Sequence, residues 1–314
     1  MKLIIQIPCL NEEATLERTI ADLPTTIPGV DKIELLVVDD GSTDRTVEVA
    51  QAAGVHHIVR NRRNAGLAAS FRIGLDAALA AGADIIVNTD GDNQYAGSDV
   101  SKLIAPILAG TADIVIGDRE TGEIAHFSAL KKSLQWLGSG IVRRLADADV
   151  ADAVCGFRAI SRDAALQLNV VSKFSYTTEM VIQAGRKKIA MTSVPIATND
   201  VTRQSRLFRS VPHFVARSAS TMIRTYAMYQ PLRVFFYIGI FLLLIGVVPM
   251  VRFLYFFATG DGAGHIQSLV IGGAFLVMGF VAFMIGLVTD LIAVNRQLLE
   301  SILERQRRAD LRDD

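Results

Sequence analysis

Residues 85–95 read IIVNTDGDNQY, a short apolar run followed directly by polar and acidic residues. An apolar run bounded by turn residues predicts a buried strand. The same arrangement occurs twice nearer the N-terminus, in LIIQIPCLNEE at 3–13 and in IELLVVDDGSTD at 33–44. Because ligands of an open α/β sheet bind beyond the carboxyl ends of its strands, we expect these three polar clusters to converge on one site.

The alternation of strands and helices continues outward from these runs, from residue 2 to about residue 118. HHIVR and DIVIGDR are further expected strands, and TDRTVEVAQAAG, GLAASFRIGLDAALAAG, a segment from about Glu12 and one at 100–109 are expected helices. This pattern predicts an α/β fold with a mostly parallel sheet buried on both faces. Residues 119–200 are less regular: LKKSLQWLGSGIVRRL is basic and helical, CGFRAISRDAA is turn-like, and MTSVPI contains a short strand.

The C-terminal part of the chain is strongly apolar. Of the 314 residues 51% are hydrophobic, and the excess lies in 234–258 and 266–294, each long enough to cross a bilayer core of about 30 Å. Arginines crowd the segment before the first span and follow the second, whereas the loop between them has no Lys or Arg. Because positive residues favour the cytoplasmic side, we expect a multi-pass protein of the inner (plasma) membrane with both flanks cytoplasmic.

These observations predict four regions: a cytoplasmic α/β domain at 1–209, amphipathic interfacial helices at 210–233, a two-helix transmembrane domain at 234–294 and a charged cytoplasmic tail at 295–314. We expect no cleavable signal peptide, because residue 1 leads directly into a strand. The formal net charge is zero, which gives no reason to expect a nucleic-acid partner. The spacing of Cys9 and Cys155 fits neither a metal site nor a disulfide framework, so both are expected to be buried thiols.

The acidic pair Asp90 and Asp92 is the predicted chemical centre. Gly91 between them permits a tight turn that brings both carboxylates, with the amide oxygen of Gln94, toward one cation. Oxygen ligands of this kind fit Mg²⁺ or Mn²⁺. An isolated DGD is more often an ordinary solvent-exposed turn, so the metal interpretation depends on the neighbouring clusters.

Several motifs occur in an order that resembles one known family. IPCLNEE resembles a PxxNE opening, VVDDGSTDRT a DDGSxDxT segment, and TDGDNQY a metal-binding DxD followed by Gln. GDRE, DAVCGFRAISR and RQSRLFR resemble later elements. Over about residues 1–212 the chain thus resembles the family 2 glycosyltransferases of GT-A fold, and within them the dolichyl-phosphate mannose synthase-like and bacterial polyprenyl-phosphate glycosyltransferases with two transmembrane helices.

The resemblance implies a role for particular residues. Asp92, Arg119, Arg206 and, as a candidate base, Glu179 would be catalytic, and Asp39 or Asp40 would accept a hydrogen bond from the nucleotide base. The residues that would contact the nucleotide-sugar are Pro8, Leu10, Glu12, Val38, Asp39, Asp40, Asp90 and Gly91. The residues that would hold the metal are Asp90, Asp92 and Gln94. The residues that would meet the lipid phosphate are Arg119, Lys131, Lys132, Arg203 and Arg206.

Simpler roles remain open for many of these side chains. Glu12 also suits a helix start, and Asp39 or Asp44 suits a helix cap. The arginines of RQSRLFR also suit anionic lipid headgroups beside an interfacial helix. The two lysines of LKKSL fit a solvated helix face, and the glutamate of YTTEM fits an ordinary polar helix position.

The resemblance implies transfer of a sugar, with inversion, from a nucleotide-sugar to polyprenyl phosphate at the cytoplasmic leaflet, with a UDP-sugar favoured over GDP-mannose. A phosphate acceptor is largely ionised at neutral pH and requires no strong general base. A processive polysaccharide synthase is disfavoured because QxxRW and additional spans are absent, and a non-catalytic nucleotide-sugar-binding module is disfavoured by the intact DGD. No GxGxxG follows the first strand, which disfavours a nicotinamide enzyme.

Partners beyond substrates and the bilayer follow only from general considerations. Gly272, Gly273, Gly279 and Gly286 permit close helix packing, which makes a homo-oligomer an open expectation. A flippase or a downstream glycosyltransferase of envelope glycosylation would be the consumer of the product.

Overall fold

The apolar runs at the N-terminus form strands because their side chains, many of them β-branched, pack on both faces of one sheet. Leu3, Ile4 and Ile5, consecutive residues of the first strand, are all fully buried. The computed structural model describes residues 1–119, 140, 150–171, 176–199, 220, 226–227, 229–260 and 262–311. The strands in these residues are β1 Lys2–Cys9, β2 Lys32–Asp39, β3 His57–Arg60, β4 Ile85–Asn88, β5 Ile114–Asp118, β6 Arg158–Ser161 and β7 Met191–Pro195.

The sheet has the strand order β3-β2-β1-β4-β6-β5-β7. β1 pairs in parallel with β2 and β4, β2 with β3, and β5 with β7. β6 is antiparallel to both of its neighbours, β4 and β5. The prediction of a mostly parallel α/β sheet is therefore confirmed, with β6 as the exception.

Helices connect and cover these strands. Helix α3 approaches the sheet closely, because a Cβ atom on Gly74 would lie 2.9 Å from Val38 Cγ2 and 2.6 Å from Gln6 Oε1. The helices of the α/β domain are α1 Leu16–Asp22, α2 Thr46–Ala52, α3 Leu67–Ala80, α4 Val100–Leu108, α5 Arg162–Gln167 and α6 Tyr176–Arg186.

Two local predictions were wrong. The first helix begins at Leu16 rather than near Glu12. The turn predicted for CGFRAISRDAA is instead strand β6 followed by helix α5, which Ser161 caps by accepting a hydrogen bond from Ala164 N at 3.2 Å. The pattern was misleading because the first residue of β6, Arg158, is a charged residue that is fully buried.

Glu34, on β2, links β1, β2 and β3 through ion pairs. Its carboxylate contacts Lys2 Nζ at 2.7 Å, Lys32 Nζ at 2.6 Å and His57 Nε2 at 2.7 Å. Burial alone would raise the pKa of Glu34, but these hydrogen bonds outweigh it and lower the pKa to about 2. The ionised carboxylate therefore stabilises the fold.

The residues Ile223–Ile302 form a second compact unit. It contains all of helix α7, Pro231–Ala258, and most of helix α8, Ile266–Asp310. Their apolar windows have mean hydropathies of 2.7 and 2.4, yet only 11% and 22% of them are buried in protein. Core helices of a soluble protein would be mostly buried, so both helices are candidate membrane spans, in agreement with the two apolar spans predicted from the sequence.

The glycines of α8 serve packing within one chain. A Cβ on Gly272 would lie 2.9 Å from Gly246 O, and one on Gly279 would lie 2.8 Å from Leu243 Cγ. A Cβ on Gly286 would meet Phe235 Cβ at 3.0 Å, whereas one on Gly273 would meet nothing within 4 Å. The homo-oligomer stays a prediction, and most of these glycines are explained by the contact between α7 and α8.

Helix α8 continues without a break into the predicted tail as far as Asp310, and its residues from Leu303 on belong to the same compact unit as the α/β domain. Arg307 Nη1 donates to Leu168 O at 3.1 Å and to Asn169 Oδ1 at 3.3 Å, and its Nη2 lies 3.1 Å from Asp76 Oδ1. Arg307 thus supplies hydrogen-bond donors beyond the C-terminal end of α5.

Candidate active site

The polar clusters that follow β1 and β2 are joined by hydrogen bonds. Asp40 N donates to Cys9 O at 2.8 Å, continuing the register of the two strands. Asn11 N donates to Ser42 Oγ at 2.9 Å, and Asn11 Oδ1 accepts from Thr43 N at 2.8 Å. Asn11 adopts a left-handed conformation with φ 55°, which asparagine tolerates and which turns the chain here.

The cluster after β4 lies against the cluster after β1. Thr15 Oγ1 lies 2.8 Å from Gly91 O and 3.0 Å from Glu12 Oε2. A Cβ on Gly91 would lie 3.0 Å from Cys9 Sγ and 3.3 Å from Glu12 Cγ. The three strand-end clusters therefore converge, as the sequence predicted.

The turn of the DGD segment differs in one detail from the expectation. The left-handed residue is Asn93, with φ 57°, and Gly91 does not have a positive φ. Gly91 instead permits the close approach of the β1 cluster, and Gln94 N donates to Asp92 Oδ1 at 3.2 Å. The segment is also fixed from outside, because Asn199 N donates to Gln94 O at 2.9 Å.

Negative charge accumulates at this junction. Burial raises the pKa of Asp90 to about 7, the charges of Asp92 and Glu12 add to this effect, and Arg119 and Arg158 oppose it. A cation placed beside these carboxylates would favour the ionised form of Asp90. The donor set therefore fits a hard divalent metal ion.

The described residues contain no group of three His, Cys, Asp or Glu side chains arranged to hold a metal alone. This arrangement is compatible with Mg²⁺, which proteins commonly bind through one or two carboxylates together with substrate phosphates. Asp90 and Asp92 are the carboxylates in the right place, and Gln94 is partly exposed beside them.

The two aspartates after β2 differ in their contacts. Asp40 accepts hydrogen bonds from Asn61 Nδ2, Ala65 N and Gly66 N at 2.8–2.9 Å, so its carboxylate holds the loop before α3. Asp39 Oδ1 accepts from Ser42 N, whereas its buried Oδ2 makes no hydrogen bond within the described residues and lies 3.1 Å from Arg60 Nε. Asp39 therefore accepts fewer hydrogen bonds within the described residues than Asp40.

Arg119 follows β5 and forms an ion pair that the sequence did not reveal. Its Nε lies 2.7 Å and its Nη2 3.1 Å from the two carboxylate oxygens of Asp152. The side chains are 17% and 3% exposed, so the pair is largely shielded from water. Arg158 of β6 pairs with Asn88 of β4 and with Ile116 of β5, so the ends of β4 and β5, which lead to Asp90 and Arg119, lie at the same edge of the sheet.

A wall of the site comes from the segment between Asp152 and β6. Gly156 faces Asp90, since a Cβ there would lie 3.1 Å from Asp90 Oδ2. Asn88 Nδ2 donates to Gly156 O and to Tyr176 Oη, each at 2.9 Å, and Gln6 Nε2 donates to Asn88 Oδ1 at 2.9 Å. These hydrogen bonds fix the wall against β1, β4 and α6.

Arg158 strengthens the same wall from inside the core. It is fully buried, and its guanidinium donates to three backbone carbonyls, those of Ala153, Cys155 and Thr177, at 2.6–2.8 Å. The segment that positions Asp152 and Gly156 is thereby tied to the start of α6.

Some predicted residues lie elsewhere. Val38 is fully buried against Gly74 of α3, so its side chain belongs to the core rather than to a nucleotide surface. Pro8 is buried and Leu10 is partly exposed beside the junction of β1 and β2. The carboxylate of Glu179 accepts a hydrogen bond from Val171 N at 3.1 Å. Lys131, Lys132, Arg203 and Arg206 lie outside the described residues.

Comparisons with known proteins agree with this geometry. Residues 4–168 match the model of the family described as glycosyl transferase family 2. A UDP-N-acetylglucosamine–dolichyl-phosphate N-acetylglucosaminyltransferase of Methanococcus voltae is 28% identical over 213 residues, which cover 61% of this chain and 83% of that protein. The polyprenol monophosphomannose synthase of Mycolicibacterium smegmatis is 26% identical over 204 residues, which cover 62% and 76%.

A solved structure has the same fold. Glucosyl-3-phosphoglycerate synthase from Mycobacterium tuberculosis, in complex with Mn²⁺, UDP-glucose and phosphoglyceric acid, aligns with a TM-score of 0.56 at 22% identity and covers 72% of this chain and 80% of that one. This likeness confirms the predicted GT-A-like architecture of the α/β domain.

Proposed function

Because the chain belongs to glycosyltransferase family 2, we propose that it transfers a sugar from a nucleotide-sugar to polyprenyl phosphate. The observation that carries the proposal is the junction of the strand-end clusters, where the charges of Glu12 and Asp92 raise the pKa of Asp90. Such a junction at the carboxyl ends of parallel strands is where an α/β sheet binds its ligand. A polyprenyl acceptor is supported by the two exposed apolar helices and by the names of the M. voltae and M. smegmatis relatives.

The donor would occupy the edge formed by β1, β2 and β4. Asp39 Oδ2 is the better acceptor for a base N–H, because the Asp40 carboxylate already receives three hydrogen bonds. Asp90, Asp92 and Gln94 would hold Mg²⁺ or Mn²⁺. Proteins commonly bind Mg²⁺ together with substrate phosphates. When bound, the ion neutralises charge on the diphosphate leaving group. The M. tuberculosis fold neighbour contains Mn²⁺ together with UDP-glucose.

The acceptor supplies its own nucleophile. An ionised phosphate oxygen attacks the anomeric carbon, a new C–O bond forms, and the bond to the nucleoside diphosphate breaks on the opposite face, which inverts the configuration. The phosphate carries its charge at neutral pH, so no side chain has to remove a proton. The Glu179 carboxylate, the candidate base, accepts a hydrogen bond from Val171 N.

The chain is proposed to work at the cytoplasmic leaflet and to prefer a UDP-sugar over GDP-mannose. The sequence arguments for these choices are the arginines flanking the spans and the two-span organisation. The two relatives leave the sugar open, since one is named for N-acetylglucosamine transfer and the other for mannose.

The proposal is tested with membranes that contain the full-length chain. They are incubated with undecaprenyl phosphate, MgCl₂ or MnCl₂, and radiolabelled UDP-glucose, UDP-N-acetylglucosamine or GDP-mannose in separate reactions. We expect label in an organic-extractable lipid that mild acid releases as free sugar. Label in a water-insoluble polymer would instead support a processive synthase, and binding of donor without any product would support a non-catalytic module.

A further inference from the structure

The Asp152–Arg119 pair has a geometry beyond simple charge neutralisation. Both Nε and Nη2 of the guanidinium contact the carboxylate, at 2.7 and 3.1 Å, so the plane of the guanidinium is fixed as well as its position. Two-point contact of this kind orients an arginine that must present another edge to an anion. Lysine, with a point charge, cannot reproduce it.

The burial of the Asp152–Arg119 pair favours a role in orienting the guanidinium over a role in stabilising the fold. Exposed ion pairs contribute little, and largely buried ones lose much of their attraction to desolvation, so such a pair is weak evidence for stability. Arg119 follows β5 at the sheet edge where β4 also ends, because both strands pair with β6 in the antiparallel direction and with the same residue, Arg158. The guanidinium is therefore held at the edge of the proposed metal and diphosphate site.

The backbone around Asp152 is itself well fixed. Cys155 N donates to Asp152 O at 3.2 Å, and Arg158 binds the carbonyls of Ala153 and Cys155. Gly156, in the same segment, lies directly beside Asp90. The carboxylate that holds Arg119 thus belongs to the wall that adjoins the metal-binding carboxylate.

We propose that Asp152 is a positioning residue that aims the Arg119 guanidinium at a phosphate group in the active site. The phosphate belongs either to the donor diphosphate or to the lipid acceptor, since the two present the same oxyanion chemistry to Arg119. The inference rests on the proposed sugar transfer and adds a residue that acts through Arg119 without contacting substrate.

The test compares Asp152→Asn, Arg119→Lys and the double variant in the full-length enzyme. Asparagine keeps the size of the side chain but loses its charge and one acceptor. We expect Asp152→Asn to lower kcat/KM for undecaprenyl phosphate about 10- to 100-fold, because small misplacements of a positioning group have effects of this size. In the Arg119→Lys background the same substitution should have an effect of less than about threefold, because residues that act as one unit are not additive.

Two further measurements identify the phosphate. If Arg119 faces the acceptor, Asp152→Asn raises the apparent KM for undecaprenyl phosphate and leaves the Kd for the donor nucleotide-sugar unchanged. If it faces the donor, the donor Kd rises. Asp163→Asn is the matched control: it removes another Asp–Arg contact, to Arg308 at 2.8 Å, but Asp163 is 71% exposed and lies outside the site.

The outcomes separate the inference from the function on which it depends. A wild-type enzyme that makes no glycolipid would refute the proposed function. A wild-type enzyme that is active, with Asp152→Asn equal to it or with fully additive effects in the two backgrounds, would refute the positioning role. A lowered thermal midpoint with unchanged KM, kcat and donor Kd would likewise show that the pair is structural.

Discussion

Substitution of Gly156 by alanine tests whether the wall of the site positions Asp90 for a cation. The added methyl carbon would lie 3.1 Å from Asp90 Oδ2, 3.3 Å from Oδ1 and 3.4 Å from Tyr176 Oη. Carbon–oxygen contacts usually settle at about 3.3–3.6 Å, so the carboxylate must retreat by a few tenths of an ångström. Site residues generally have to stay within about 0.5 Å of the productive geometry. We therefore expect about three- to tenfold weaker cation binding, up to about 1.4 kcal/mol.

The measurement is a titration of the purified enzyme with Mn²⁺ in the presence of UDP, with unbound Mn²⁺ followed by electron paramagnetic resonance. This readout does not depend on turnover. Gly273→Ala is the control, because a Cβ there meets nothing within 4 Å. An unchanged Mn²⁺ affinity in Gly156→Ala, at an unchanged thermal midpoint, would refute the argument that this wall sets the position of Asp90. Absence of Mn²⁺ binding to the wild type would refute the cation site itself.

Other consequences are measurable with the same full-length enzyme. Asp92→Ala should reduce sugar transfer to background while the protein stays in carbonate-washed membranes, because the Asp92 carboxylate belongs to the proposed metal site and not to the core. Normal activity in this variant would show that the metal site lies elsewhere. Glu34→Gln should remove up to about 3 kcal/mol of stability near neutral pH, since each pKa unit is worth about 1.4 kcal/mol. The wild type should lose this contribution as the pH falls from about 4.5 toward 2, because the pKa of Glu34 is lowered in the folded state; parallel unfolding curves for the two proteins would contradict this. Arg307→Ala should lower the thermal midpoint by a few degrees by removing its hydrogen bonds to residues 168 and 169, and an unchanged midpoint would show that the tail contact is not stabilising.

The strand-end clusters were predictable because each is local in sequence. An apolar run predicts the strand, the residues after it mark its carboxyl end, and the rule for parallel sheets brings the ends together. The register of β1 with β2 and β4 places the residues as this rule requires. Glu12 and Asp90 were therefore expected near each other despite their separation along the chain.

The segment from Asp152 to Arg158 was not predictable in this way. Its strand, β6, is short and antiparallel, and it begins with a fully buried arginine. Charged residues are almost never fully buried unless paired or hydrogen-bonded, so the residue pattern pointed to a turn. The signal available in the sequence was Asp152 itself, the first residue of the DAVCGFR motif, but its partner Arg119 could be found only from the fold.

The charges of the completed site are divided in a way that its acidic motifs alone do not reveal. Glu12, Asp90 and Asp92 form a negative group, and Arg119 and Arg158 oppose it from the side of β5 and β6. A diphosphate without a cation would be repelled by the carboxylates. Arg119, which Asp152 holds through Nε and Nη2, is the positive group beside them. A metal–diphosphate complex satisfies both halves, since the ion meets the aspartates and a phosphate can meet Arg119. Under the proposed function, the segment before the antiparallel strand β6 thus supplies Asp152, which holds Arg119 at the end of β5.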